Sequence, residues 1–65
     1  MNQSLEEPLI HPTAVVLPGV ELSAGVEIGP WCVVEPGVEL GAGVQLSPHV
    51  HLSGRTIVGA GTRIG

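Results

Sequence analysis

The chain has 65 residues, near the lower limit for a single domain, and ten of them are Gly and six Pro. Hydrophobic residues make up 43% and charged residues 12%, which is too apolar for a disordered chain. The formal charge of −4 sets six Glu against Arg55 and Arg63 with no Lys, so the chain has no cationic stripe for nucleic acid or for anionic lipid.

Residues 1–9 carry no repeat and read as an N-terminal tail or cap, with room for one helical turn within Met1–Glu7. Beyond Pro8 no stretch free of Gly and Pro is longer than five residues, which rules out helices of two or more turns. No apolar run approaches the about 18 residues of a membrane span, and no signal peptide is evident, so membrane insertion is not expected. From Ile10 onward a period of six begins: Ile10, Val16, Leu22, Ile28, Val34, Leu40, Leu46, Leu52, Val58 and Ile64. All are Ile, Leu or Val, residues that form 21 of 65 in the chain. Ten matches in ten have chance odds on the order of one in 10⁵, so the period is real.

A second register runs Ala14, Val20, Val26, Cys32, Val38, Val44, Val50, Thr56, Thr62, small or β-branched throughout. Each unit therefore reads as a four-residue strand with two inward side chains, followed by a two-residue corner set by Pro or Gly. The corners repeat every three units: Pro12-Thr13, Pro30-Trp31 and Pro48-His49, then Ala24-Gly25, Ala42-Gly43 and Ala60-Gly61. Eighteen residues in three strands predict a triangular coil, and about three coils stacked in register predict a parallel three-sided β-helix over residues 10–65.

Few side chains offer chemistry. His11, His49 and His51 are the candidates for acid–base or metal work. His49 falls at a corner and His51 on an outer strand face, so they diverge, and no metal ligand set is assigned. Cys32 falls in the inward register between Ala14 and Val50, where a thiol packs and stays protonated. As a lone cysteine it fits a reducing compartment, and a cytoplasmic location is expected. Glu21 and Glu39 stack one coil apart on an outer face and read as solvated, with neither a pocket nor a third group expected around them to complete a catalytic set. The recurrent glycines are corner residues rather than a phosphate-binding loop. No catalytic residue and no cofactor-binding residue is assigned, and no cofactor is expected.

One outer column is apolar. Val15, Val33 and His51 recur at eighteen beside the corner column Thr13, Trp31 and His49. The residues Val15, Trp31, Val33, His49 and His51 are therefore the expected oligomer interface, the alternative being that Trp31 lies over its own corner. The end at Gly65 interrupts a repeat, so the last coil is expected to offer open edges that invite end-to-end pairing of two assemblies.

The hexapeptide pattern resembles the bacterial acyltransferases built on left-handed parallel β-helices. Within that superfamily it is most similar to the acyl-carrier-protein-dependent UDP-N-acetylglucosamine O-acyltransferases of lipid A biosynthesis. The likeness rests on Ile10-His11-Pro12-Thr13-Ala14, Ile28-Gly29-Pro30-Trp31-Cys32-Val33, and Leu46 through Gly59. The chain departs from the usual pattern at Trp31, Glu35, His51 and the Met1–Pro8 extension. The resemblance implies a left-handed helix, a homotrimer, and correspondence to only the N-terminal quarter of such an enzyme. The family's catalytic His, its nucleotide and donor sites and its helical domain come later, so acyl carrier protein is an expected partner of the full-length enzyme alone. The expected role of this chain is a trimerising β-helix module that is inactive by itself; the alternative is hydroxyacyl transfer from acyl carrier protein to UDP-N-acetylglucosamine.

Overall fold

A computed structural model describes residues 7–65 of the chain, so the helical turn expected within Met1–Glu7 lies almost wholly outside the described residues. The alternation of β-branched and turn residues produces ten short strands: β1 (Leu9–Ile10), β2 (Val15–Val16), β3 (Glu21–Leu22), β4 (Glu27–Ile28), β5 (Val33–Val34), β6 (Val38–Leu40), β7 (Gln45–Leu46), β8 (His51–Leu52), β9 (Thr56–Val58) and β10 (Arg63–Ile64). No helix occurs among the described residues. The ladders are two or three residues long rather than the four expected, because the corner dihedrals already take the chain out of ladder geometry on either side. β1 starts at Leu9, one residue inside the segment read as a tail.

Every third strand pairs in parallel. The first face is β1-β4-β7-β10, the second β2-β5-β8 and the third β3-β6-β9. The register is eighteen throughout, as in Ile10↔Ile28, Val16↔Val34 and Leu22↔Leu40. The molecule is therefore a three-sided parallel β-solenoid of about three coils, as the eighteen-residue period predicts. Along the faces, N–H groups donate to the carbonyl seventeen residues ahead, as from Val15 to Cys32 at 2.8 Å and from Val33 to Val50 at 2.9 Å. At the corners several donate in the opposite direction, as from His49 to Pro30 at 3.0 Å and from Gly61 to Ala42 at 2.8 Å. The corners thus add their own stitches to the strand ladders.

Both inward registers fill the prism. Val26, Cys32, Val34, Val38 and Val44 are fully buried, with Ile28, Leu40 and Leu46 nearly so. Each such aliphatic side chain contributes about 1.5–3 kcal/mol by leaving water. The burial is concentrated in the middle coil. Ala14, Val16, Val20 and Leu22 on one side and Val50, Leu52 and Ile64 on the other pack against the core only in part. Ile10, inward by register, is 42% exposed, and Thr62 is exposed, since neither has a coil stacked on both sides. The Cys32 thiol donates to the Ser47 carbonyl at 3.0 Å, and no buried side-chain N or O among the described residues lacks a partner.

The corners turn through the left-handed region. Gly19, Gly25, Gly37, Gly43 and Gly61 have φ between 72° and 95°. In the Gly54-Arg55 pair the glycine comes first, and the positive φ (75°) follows it to Gly54, one position ahead of the other corners. Gly41 meets a different demand: a Cβ there would lie 2.7 Å from the Ala60 nitrogen, so two coils touch backbone to backbone.

Two predictions follow from this geometry. A Cβ at Gly43 would meet nothing within 4 Å, so Gly43→Ala isolates the cost of φ at 72°. Urea denaturation should show a loss of about 1–2 kcal/mol, and no change would mean that the corner relaxes freely. Cys32 is fully buried, so its thiol should react with a disulfide reagent far more slowly in folded than in urea-unfolded chain. Equal rates would place the register one residue off, since a slip inverts every side chain.

Candidate functional site

The edge between the first and second faces gathers most of the chemistry-bearing side chains. Its corner column is Thr13, Trp31, His49. Among the described residues, Trp31 (φ 61°) and His49 (φ 65°) are the two non-glycine residues with positive φ. That conformation costs an L-residue about 1–2 kcal/mol, and it directs both side chains away from the prism. Trp31 is 59% exposed, although it is the sole aromatic residue of the chain.

A small network holds this edge. The Trp31 N–H donates to Thr13 Oγ1 at 3.0 Å, across one coil. The Thr13 backbone N–H donates to His11 Nδ1 at 3.2 Å, and the Thr13 hydroxyl donates to the same nitrogen at 2.9 Å. Both donors require Nδ1 to be the acceptor, so the proton of the neutral ring sits on Nε2. The side chain of Thr13 therefore takes a donor that the ladder leaves over at the strained Trp31 peptide.

On the second face Val15, Val33 and His51 form one ladder column, Val15↔Val33 and Val33↔His51. Val15 is 46% exposed, and His49 and His51 are exposed. Val33 is half-buried rather than open, because its neighbours above and below cover it. The five expected interface residues thus lie along one edge and its adjoining face, with Val33 the least accessible. His51 Nε2 lies 2.8 Å from Glu35 Oε2, a pair that the column arithmetic overlooks because the two stand diagonally, sixteen residues apart. Both side chains are open to water, so the contact contributes about 0–1 kcal/mol. A carboxylate beside an imidazole is half of a general-base arrangement, but here it faces solvent rather than a concave surface.

The other two faces are more polar. Over the first face runs a groove of about 450 Å³ whose lining includes His11, Glu27, Gly29, Gln45, Ser47 and Arg63. Arg63 Nε donates to Gln45 Oε1 at 3.2 Å along its length. On the third face Glu21 stacks on Glu39, as read from the sequence. A hollow of about 120 Å³ does lie beside that pair, lined also by Ser23 and Ile57; no imidazole and no cation lines it. Ile57 is 79% exposed there. Among the described residues no group of three His, Cys, Asp or Glu side chains could hold a metal ion, and no helix is long and apolar enough to cross a membrane.

Known proteins give a consistent picture. The chain is 48% identical over 60 residues, 92% of its length, to the acyl-(acyl-carrier-protein)–UDP-N-acetylglucosamine O-acyltransferases of Brucella ovis, Brucella canis and Brucella abortus. It spans 22% of the length of those relatives. No family model matches the chain, and no solved structure gives a significant match. The chain is thus similar, over nearly its whole length, to a segment of UDP-N-acetylglucosamine O-acyltransferases, and its fold is the parallel β-helix that a hexapeptide repeat builds.

Proposed function

We propose that this chain is a structural, self-assembling β-helix module, a homotrimer-forming segment of the kind used by O-acyltransferases of lipid A biosynthesis, and that it transfers no acyl group by itself. The observation that carries the reading is Trp31, 59% exposed, at a corner where glycine would be cheaper. Trp is among the residues most enriched in protein interfaces, and its neighbours Val15 and Val33 extend an apolar strip along the edge. A cytoplasmic setting belongs to the same reading: it fits the single thiol and the carrier protein and nucleotide sugar in the relatives' names.

The second reading, hydroxyacyl transfer from acyl carrier protein to UDP-N-acetylglucosamine, is favoured by those names. Against it, His49 and His51 face solvent, and His11, which does line the groove over the first face, has its Nδ1 taken up by Thr13 and is bonded to no carboxylate among the described residues. The isolated chain should give no acylated UDP-N-acetylglucosamine when incubated with hydroxyacyl-loaded carrier protein. Product above the no-protein background would favour transfer instead.

Assembly is tested by mass. Sedimentation equilibrium at micromolar concentration should give about three times the 6.6 kDa of one chain, and a mass near 6.6 kDa would overturn the trimer. Trp31→Glu should shift the mass toward monomer, because three carboxylates would then be buried in a water-poor contact.

A further inference from the structure

We infer that the axis of the assembly runs along the edge between the first and second faces, so that the Trp31 side chains of the three copies meet one another at the axis, with the three His49 side chains one coil away. The inference rests on the trimer reading above and names the surface through which a second and third copy bind.

The argument starts from symmetry. A closed ring of parallel prisms is generated by rotation without translation, so each coil faces the same coil of its neighbours. Each triangular prism turns one edge toward the axis, and the two faces flanking that edge contact different neighbours. Three edges are available. The edge between the second and third faces has Gly19, Gly37 and Gly54 at its left-handed positions, and the edge between the third and first faces has Gly25, Gly43 and Gly61. The edge between the first and second faces alone places side chains there, Trp31 and His49, and it does so at the cost of backbone strain in two successive coils. The glycine corners offer an axis no apolar anchor, and the corner side chain beyond them, Arg55 between the second and third faces, is a cation that would face its own copies across an axis.

Charge selects the same edge. Each copy carries −4, so contacts between copies are repulsive wherever carboxylates face one another. Glu21 and Glu39 occupy the third face, and Glu27 stands in the column of the first face farther from the Trp31 corner. Glu35 on the second face lies against its own His51, one outward column farther from the Trp31 corner. The corner column and the two columns beside it contain three histidines and no carboxylate. Acidic copies can therefore close on one another here without opposing unpaired charge.

The contacts also match level by level. In the first coil Thr13 stands between His11 and the exposed Val15. In the second, Trp31 stands between Val33 and Gly29, where the missing Cβ lets the Leu46 carbonyl of the next coil come close. In the third, His49 stands between Ser47 and His51, a polar end to an apolar centre. This is the arrangement of an interface with a buried aromatic anchor and a wetter rim.

Trp31 makes the test direct, since no other residue of the chain is aromatic. On raising the concentration of the unmodified chain, its emission should shift to the blue and its quenching by acrylamide should fall several-fold in step with the trimer mass from sedimentation. In a Cys32→Ala background, oxidised His49→Cys should link one copy to another through the same residue, while Ile57→Cys on the third face stays unlinked. A trimer whose Trp31 emission stays red and fully quenched, or which cross-links at Ile57→Cys and not at His49→Cys, overturns the axis and leaves the trimer standing. A monomer at all concentrations overturns both. A blue shift at monomer mass shows Trp31 folded over its own corner and likewise overturns the axis.

Discussion

The constraint on which everything else depends is the parallel register of eighteen. Because each strand pairs only with the strands one coil before and after it, every property of the molecule is inherited by columns: inward or outward, glycine or side chain, charged or apolar. Leu9, Glu27, Gln45 and Arg63 share one column, Val15, Val33 and His51 another, and no single residue can leave its column without breaking the ladder on both sides. A β-sandwich has more freedom, because its strands pair across hairpins whose lengths vary. The register is therefore what converts a linear repeat into three distinct surfaces.

The three surfaces differ because the corners differ. Glycine corners let the backbone turn at little cost and leave the edge bare, whereas Trp31 and His49 force the same turn on residues that resist it. Thr13 and His11 relieve part of that cost by accepting and relaying hydrogen bonds beside the Trp31 peptide. The fold thus tolerates strain on one edge because coils above and below hold it in place, which is the usual circumstance in which local strain survives.

Most of the architecture was legible from spacing alone. The period of six places Cys32 and Val38 inside as surely as it places Glu39 outside, and the period of eighteen gives the strand partners without any long-range guess. What escaped the periodicity were effects that do not repeat. The shift of the corner to Gly54 arises from a local exchange of residue order, and the shortness of the ladders from corner dihedrals that hydropathy does not record. The His51–Glu35 contact is diagonal, and diagonal neighbours belong to no column. The groove over the first face draws its lining from all four strands of that face, a gathering that residue type gives only once the columns are known. Val33 matched its predicted side but not its predicted openness, since exposure depends on the bulk of the neighbours as well as on orientation.

The burial gradient along the prism has a consequence for motion. Residues 26–46 hold nearly all the fully enclosed side chains, while the coils on either side pack against them by one surface only. Opening should therefore begin at both ends and stop at the centre, with amide exchange fast near Leu9 and Ile64 and slowest around Val34 and Leu40. The molecule then behaves less as one cooperative block than as a short stack in which the central coil is protected by two sacrificial neighbours. Whatever rests on its outer coils, another copy or further turns of helix, would work as a lid that moves the point of first fraying outward.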